Sequence, residues 1–240
     1  VTTLFLVPHQ DDETLSMGAA IREHVAVNGP STVAVVLFTT GESSGARRVL
    51  REVGYVPEAT GKVERVALTK RQFVGSRDAE FYGACRALGV PHGNIFMPGF
   101  TLTEDTGETY RRGSYTTASI PRLSRFRDGI ADRVTQSRRF AAAVDVVLAW
   151  FGAMHVKTIS YADPSQDHRL LGAAVRASRR PVLSRRYYYP PYRVADTPAG
   201  APVMHGKDAG PYLPQVEAAA REYGVWNPAV GRYSVGWFSV

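Results

Sequence analysis

The chain has 240 residues, of which 44% are hydrophobic and 21% are charged, and its formal net charge is +7. These proportions are ordinary for a globular protein and exclude collagen-like, coiled-coil and disordered classes. The positive charge comes mostly from arginines that are scattered along the chain, and without a cluster of them the sequence argues against a nucleic-acid partner.

The first 38 residues predict a strand, a helix and a second strand. Residues 3–7 are a short apolar run before a proline, which is typical of a buried strand. Residues 14–27 carry apolar side chains at roughly helical spacing and end at an Asn-Gly-Pro sequence. Residues 32–38 are rich in β-branched side chains and predict another buried strand. Two strands joined by a helix pair in parallel, so we expect an α/β fold.

The next third of the chain is less regular. Residues 39–73 show no clean period, and we expect an irregular region with short helices there. A helix is predicted over 76–88, with Ser76 as its N-cap and a glycine after its end. Residues 94–97 predict a third strand, and residues 98–119 predict a long polar loop.

The remaining elements continue the alternation of helix and strand. Residues 121–144 begin with a proline and predict a helix, and residues 145–150 predict the fourth strand. A helix is predicted over 168–178, and an aromatic-rich strand over 182–189. The last fifty residues support no assignment.

A histidine and three acids directly follow the first predicted strand, in the run Pro-His-Gln-Asp-Asp-Glu at residues 8–13. Ligands of open α/β sheets bind at the carboxyl ends of the strands. Adjacent acids raise one another's pKa, and a bound cation would relieve their repulsion. His9 and Asp12 offer ligand atoms that suit zinc, and one of the two aspartates can ligate while the other faces a metal-bound water. The competing interpretation is that these acids bind no metal and only stabilise the positively polarised N-terminus of a helix.

A metal site needs a further ligand from elsewhere in the chain. Of the six histidines, His168 follows a predicted loop and stands next to Asp167, whose carboxylate would fix the orientation of the ring. We therefore expect His168 to be the remote ligand, with His155 as the second candidate.

These residues resemble the motifs of a known family, the PIG-L/LmbE-like zinc-dependent de-N-acetylases. Residues 8–13 are similar to the family's Pro-His-x-Asp-Asp-Glu signature. Its Thr-x-Gly-Glu, Arg-x-x-Glu…Leu-Gly-Val and Asp-His-x-x-x-Gly segments resemble residues 39–42, 77–90 and 167–172. The resemblance implies a Rossmann-like, mostly parallel sheet with helices on both faces and long active-site loops. The sequence has no internal repeat and no convincing linker, so we expect a single domain over residues 1–240.

The resemblance also implies an activity, the hydrolysis of an N-acyl group, usually from an amino sugar. It makes His9, Asp12 and His168 the ligands of one zinc ion per chain. It makes Asp11 the general base, which would take a proton from the zinc-bound water, and it makes Arg77 a residue that contacts the substrate sugar. The partner is then a small amino-sugar compound or glycoconjugate.

One departure from the family pattern concerns a missing histidine. Many members read His-x-Asp-His where this chain has Ser165 as the first of the four residues. We hypothesise that His155, which follows the predicted fourth strand, takes the role of that histidine as a catalytic acid. Two alternatives stay open: His155 lies within a strand over 154–160, or Asp11 serves as both base and acid.

Two rival functions must be weighed against amide hydrolysis. Two histidines and a carboxylate also make the facial triad of non-haem iron oxygenases, but the strand–helix–strand pattern argues against that class. A non-catalytic carbohydrate-binding relative is the other rival, and the intact Asp11 argues against it.

The substrate itself is not defined by the sequence. We expect residues 41–73 and 98–119 to select it. A set of aromatic residues near the end of the chain forms either a wall for the sugar or ordinary core packing: Tyr187, Tyr188, Tyr189, Tyr192, Trp226, Tyr233, Trp237 and Phe238.

The compartment is only weakly indicated. The single cysteine, Cys85, excludes an intramolecular disulfide and favours the cytoplasm, although a cleaved signal peptide would leave no trace and keeps secretion open. No run of about 18 apolar residues predicts a membrane span.

Overall fold

The computed structural model describes residues 1–54, 62–97, 120–152, 154–189, 204–205, 209–223, 225–227, 232–235 and 238–239. In residues 204–205 and in those after 223, it describes the backbone only. The predicted loop over 98–119 lies outside the described residues, as does part of the region 41–73.

A parallel sheet of six strands forms the centre of the described structure. The strands, in the order in which they lie side by side, are β3 (Ile95–Phe96), β2 (Val33–Leu37), β1 (Thr3–Val7), β4 (His155–Ile159), β5 (Ser184–Tyr189) and β6 (Met204–His205). Every neighbouring pair is parallel. The order 3-2-1-4-5-6 is that of a Rossmann fold, so the predicted fold class is confirmed.

Seven α-helices occur in the described residues. They are α1 (Asp12–Leu15), α2 (Gly18–Asn28), α3 (Ala46–Glu52), α4 (Lys70–Ala87), α5 (Arg133–Phe151), α6 (Gln166–Ala177) and α7 (Leu213–Glu222). None of these described helices combines the length and the apolarity that crossing a bilayer requires. A short antiparallel sheet is formed by β7 (Val225–Asn227), β8 (Arg232–Val235) and β9 (Phe238–Ser239).

Helices cover both faces of the parallel sheet. Phe5 and Val7 of β1 pack with buried side chains of α2, α4 and α7 on one face. Leu4 and Leu6 pack with α5 and α6 on the other face, because successive side chains of a strand point to opposite sides. A strand that is buried on both faces is apolar throughout, which is why β1 and β2 could be predicted from short apolar runs.

The first two predicted helices differ in detail from the observed ones. The helix predicted over 14–27 is divided into α1 and α2 around residues 16–17. Helix α4 begins six residues before the predicted start, at a capping box in which Thr69 and Gln72 bond to each other's backbone N–H. The prediction of Ser76 as the N-cap is therefore wrong, and its hydroxyl donates to the Gln72 carbonyl inside the helix.

The largest correction concerns residues 121–150. The predicted strand over 145–150 belongs to α5, and the helix predicted over 121–144 begins only at Arg133. The carboxylate of Asp132 caps α5 by accepting from the N–H groups of Val134 and Thr135. The end of α5 carries consecutive apolar residues, which resemble a buried strand when their spacing is not considered.

The aromatic strand packs into the core. Tyr187, Tyr188 and Tyr189 of β5 are all buried, which confirms core packing for these three. The other aromatic side chains considered for a sugar-binding wall lie outside the described residues.

Candidate metal centre

The candidate site lies where the strand order reverses, at the carboxyl ends of the neighbouring strands β1 and β4. Open α/β sheets form a crevice at this point because the connections leave in opposite directions. The loop after β1 carries His9, Asp11 and Asp12, and the loop and helix after β4 carry Asp163 and His168. Parallel pairing of β1 with β4 therefore brings together residues such as His9 and His168, which are 159 positions apart in the chain.

Three side chains converge on one point. His9 Nδ1 lies 3.2 Å from His168 Nε2 and 3.3 Å from Asp12 Oδ2, and His168 Nε2 lies 3.2 Å from Asp12 Oδ2. Among the described residues, these three form the one group of potential ligands whose atoms gather closely enough to hold a metal ion. They are the three ligands that the family resemblance implies.

The triangle of atoms fits a tetrahedral metal ion. Zinc binds nitrogen and oxygen ligands at about 2.0–2.1 Å, so two ligands of a tetrahedral site are about 3.3–3.4 Å apart. The three observed separations of 3.2–3.3 Å match that edge length. Two imidazoles and a carboxylate are also a donor set that catalytic zinc uses, with a fourth position left for water.

The short distances among these three side chains shift their pKa values. Burial alone would raise the pKa of Asp12, but His168 and His9 hold it well below its usual range. Burial alone would lower the pKa of His168, but Asp12 and Asp163 raise it to about 9. A metal ion would take the place of the protons that the imidazoles hold, so metal binding releases protons.

Each histidine meets a second carboxylate at its other ring nitrogen. His9 Nε2 lies 3.3 Å from Asp167 Oδ2, and His168 Nδ1 lies 3.3 Å from Asp163 Oδ2. Asp167 itself accepts hydrogen bonds from the Gly129 N–H and the Gln136 amide. Carboxylates in this position fix the orientation and the tautomer of a metal-binding ring.

Asp167 therefore supports a different histidine from the one expected. The sequence predicted that it would orient its neighbour His168, whereas it contacts His9 from the loop after β1. The residue beside His168 is the fully buried Asp163, which the sequence analysis missed. The sequence offered one indication of this residue, an Asp-Pro-Ser run shortly after β4. In the structure this run forms a turn, in which the Asp163 carboxylate accepts a hydrogen bond from the Ser165 N–H.

Asp11 lies next to the three converging residues but is not one of them. Its carboxylate accepts a hydrogen bond of 2.7 Å from Arg77 Nη2 and is partly exposed. Burial raises its pKa to about 6, although Arg77 acts in the opposite direction. Its backbone has a φ of 97°, in the left-handed region, which costs a residue other than glycine about 1–3 kcal/mol. Strain of this kind is often found at functional sites.

Arg77 is buried against the loop after β1. Its Nη2 atom donates to the Gln10 carbonyl at 2.6 Å and to Asp11, and its Nη1 atom donates to Glu80 at 3.3 Å. Its guanidinium lies 4.8 Å from the centre of the Tyr223 ring. Both terminal nitrogens of the guanidinium thus contact the protein, whereas the buried Nε atom has no hydrogen-bond partner among the described residues. The contact of Arg77 with a sugar stays a prediction.

The structure does not bring His155 to the site. His155 is the first residue of β4 and pairs with Thr3 and Ser184, at the end of the sheet opposite the metal-binding loops. It is exposed, and its Nδ1 atom lies 2.8 Å from the Ser184 hydroxyl. Since β4 rises about 3.3 Å per residue, its two ends are roughly 13 Å apart. The expected position of His155 at a strand carboxyl end is wrong, and the alternative of a continuing strand is right.

Comparison with known proteins identifies a matching family and several structures of similar fold. A family model described as PIG-L: GlcNAc-PI de-N-acetylase matches residues 4–178, which include all the residues of the candidate metal centre. The search of curated proteins gave no match.

Several solved structures share the fold. One is the conserved protein TT1542 from Thermus thermophilus, with 19% identity and a TM-score of 0.51 over 98% of this chain and 81% of that one. Another is the zinc-inhibited form of the teicoplanin deacetylase Orf2, with 18% identity and a TM-score of 0.53 over 91% and 84%. A third is GalB, the 4-carboxy-2-hydroxymuconate hydratase from Pseudomonas putida, with 16% identity and a TM-score of 0.50 over 93% and 79%. Because a hydratase shares this fold, the fold alone does not determine the reaction.

Proposed function

Because this chain belongs to the PIG-L family of GlcNAc-PI de-N-acetylases, we propose that it hydrolyses an N-acyl group of an amino-sugar compound and releases a free amine. An N-acetyl group is the first acyl group to test. The observation that carries this proposal is the triangle formed by His9, Asp12 and His168, with the carboxylate of Asp11 beside it. This arrangement combines a fitting site for a metal ion with a separate group that can accept a proton.

We propose zinc as the metal, with one ion per chain held by His9, Asp12 and His168. The spacing of the ligand atoms and the supporting carboxylates of Asp163 and Asp167 favour this choice. When bound, such an ion supplies a Lewis acid and lowers the pKa of a bound water towards 7.

The protein's own groups handle the protons of the reaction. Asp11 accepts a proton from the attacking water and later gives it to the nitrogen of the departing amine. Arg77 holds the Asp11 carboxylate in place during both transfers. His155 begins β4 at the opposite end of the sheet and residue 165 is a serine, which supports the assignment of both proton transfers to Asp11.

The two rival functions predict different behaviour. The same donor set would suit iron in an oxygenase, and such an enzyme would consume oxygen. A non-catalytic relative would bind the sugar without turnover. The contact between Arg77 and Asp11 favours hydrolysis, because neither rival needs a carboxylate held next to the metal ligands.

The family and the names of proteins of similar fold support a substrate class. The solved structures of similar fold include a deacetylase of the teicoplanin biosynthetic pathway. We propose a small N-acetylated amino sugar or glycoconjugate as the substrate. We also propose that residues 1–240 form one domain, because the C-terminal helix α7 packs against α2 and α4 of the matched region.

A screen for amine release tests the proposed function. The purified protein is stripped with a chelator, reloaded with zinc or iron(II), and incubated with a panel of N-acetylated amino sugars and glycoconjugates. We expect amine release that depends on zinc and is lost in the Asp12→Ala variant. Oxygen uptake with iron, or sugar binding without turnover across the panel, would overturn the proposal.

A further inference from the structure

We infer that Tyr223, at the end of α7, is a positioning residue that fixes the backbone of Asp11. The inference rests on the proposed function, because Asp11 is the proton acceptor in that proposal. Helix α7 follows residue 178, the last residue that the family model matches. The contact therefore joins the matched region to a part of the chain that the family model leaves out.

Tyr223 contacts the loop after β1 through its hydroxyl. The backbone N–H of Asp11 donates to the Tyr223 hydroxyl at 2.9 Å and to Glu13 Oε2 at 3.1 Å. The Tyr223 hydroxyl in turn donates to Glu13 Oε1 at 2.5 Å. The tyrosine is only 1% exposed, so water does not compete for these bonds.

The conformation of Asp11 explains why such support is needed. A side chain at positive φ is disfavoured, and the surrounding structure must hold the residue there. Asp11 stands at the N-cap of α1, but its side chain caps no N–H of that helix because its carboxylate bonds to Arg77. The support comes from the backbone instead, because the Asp11 N–H donates hydrogen bonds to Tyr223 and Glu13.

The ring of Tyr223 also supports the side chain of Asp11. The Arg77 guanidinium lies over this ring, at 4.8 Å from its centre, and donates to the Asp11 carboxylate. A cation over an aromatic face is attracted by the ring, more strongly when both are buried. Tyr223 thus contacts the group that holds the Asp11 carboxylate, and its hydroxyl holds the Asp11 amide.

Packing of α7 determines where Tyr223 lies. Ala219 and Ala220 are buried in the same core cluster as Phe81 and Ala84 of α4. Small side chains let two helices approach closely, so α7 rests on α4 with its end directed at the loop after β1. The position of the Asp11 amide therefore depends on the docking of α7.

Tyr223→Phe isolates the hydroxyl, because it keeps the ring that Arg77 faces. We expect kcat to fall about 10- to 100-fold, since small displacements of a reacting group can cost as much as a hundredfold in rate. KM and zinc stoichiometry should stay within about twofold of the wild-type values. Tyr82→Phe is the matched control, because it removes the buried hydroxyl that contacts His92 in the same core and does not touch Asp11.

The amide resonance of Asp11 gives a readout that needs neither metal nor turnover. In Tyr223→Phe, its proton should shift upfield and exchange faster, because it loses an acceptor at 2.9 Å. Tyr82→Phe should leave this resonance unchanged. The inference would be overturned if the Asp11 amide proton in Tyr223→Phe kept its wild-type chemical shift and exchange rate, or if kcat of that variant equalled the wild-type value. Absence of deacetylation by the wild-type protein would instead count against the proposed function, and the amide shift would still show whether the contact exists.

Discussion

At the scale of single residues, the two histidines are held in complementary ways. His9 turns Nδ1 to the candidate metal position and Nε2 to Asp167, whereas His168 turns Nε2 to that position and Nδ1 to Asp163. Each ring therefore has a carboxylate oxygen within 3.3 Å of the nitrogen that faces away from the candidate metal position, and Asp12 is the third member of the group.

We predict that the two supporting carboxylates tune metal affinity. Asp163→Asn and Asp167→Asn should each weaken zinc binding about 10- to 100-fold, because they lose the charge that holds a ligand ring. Competition with a chromophoric chelator measures the affinity. Asp132→Asn is the control, since this carboxylate caps α5 and does not contact the histidines. Unchanged affinity in both test variants would contradict the assignment of these two roles.

A second residue-scale prediction separates proton transfer from metal binding. Asp11→Asn should retain stoichiometric zinc but lose about 10²–10⁴ in kcat, the usual contribution of acid–base catalysis. Steady-state kinetics and metal analysis on the same sample decide the matter. His155→Gln should behave like the wild type, because His155 lies at the opposite end of the sheet. Near-normal turnover of Asp11→Asn would remove Asp11 from the mechanism.

At the scale of elements, Gly172 explains how α6 reaches the site. A Cβ atom at this position would lie 2.5 Å from the Tyr161 nitrogen and 2.6 Å from the Ile159 carbonyl oxygen. The absence of a side chain lets α6 rest directly on the backbone at the end of β4, and α6 carries His168 in its first turn. The glycine that ends the family's Asp-His-x-x-x-Gly pattern thus has a packing function in this chain.

We predict that Gly172→Ala both destabilises the protein and displaces His168. Overpacking a tight contact typically costs about 1–3 kcal/mol, and here the obstacle is backbone that cannot move aside. Urea unfolding measures the free energy of unfolding, and zinc affinity reports the displacement. Gly93→Ala should change neither quantity, because no described residue apart from its neighbours in the chain lies within 4 Å of where its Cβ atom would be. An alanine variant of Gly172 with wild-type stability would show that α6 can shift freely.

Helix α4 supplies a further prediction, on the pH dependence of stability. Glu80 is buried beside Arg77, and burial raises the pKa of Glu80 to about 8 in spite of the opposing effect of that arginine. The folded protein therefore holds an extra proton between the ordinary pKa of about 4.5 and pH 8. The contribution of Glu80 to stability is fully present below pH 4.5 and is lost as the pH rises to 8.

Glu80→Gln should flatten this part of the pH dependence, because glutamine does not titrate. We expect the Tm of the variant to fall less than that of the wild type between about pH 5 and pH 8. Glu52→Gln, at an exposed ion pair on α3, should leave the wild-type slope in place. Equal slopes in the wild type and Glu80→Gln would assign the pH dependence to other groups.

At the scale of the whole molecule, the candidate metal centre joins two halves of the sheet. His9 and Asp12 follow β1, and His168 follows β4, so a bound ion would link the loops on either side of the strand reversal. An ion that binds the folded protein and not the unfolded chain raises the free energy of unfolding by mass action.

Zinc should therefore raise the Tm of the chelator-treated protein. At a free concentration of 100 times Kd, the gain is about 2.7 kcal/mol. For a chain of this size, that corresponds to roughly 5–11 °C. Differential scanning fluorimetry measures the shift, and Asp12→Ala should show none. An equal shift in that variant would place the stabilising ion elsewhere.

Local sequence was sufficient for the features that depend on neighbouring residues. The apolar runs of β1 and β2 predicted buried strands, because both faces of these strands are covered by helices. The cluster of a histidine and acids after β1 predicted a metal site, because His9 and Asp12 lie on one short loop. His168 was predicted as the remote ligand from its position after a loop, and it belongs to the group of potential ligands that the described residues bring together. Its role as a ligand stays a prediction.

Tertiary structure decided which distant residues support that site. Asp163, Arg77 and Tyr223 contact residues of other elements, and those contacts exist only once β4, α4 and α7 are packed around β1. The misplaced fourth strand shows the same limit, since a half-buried helix end and a buried strand both appear as apolar runs. That error placed His155 at the wrong end of the sheet. Strand order and helix docking are set by the burial of apolar surface over the whole chain, so no local pattern contains them.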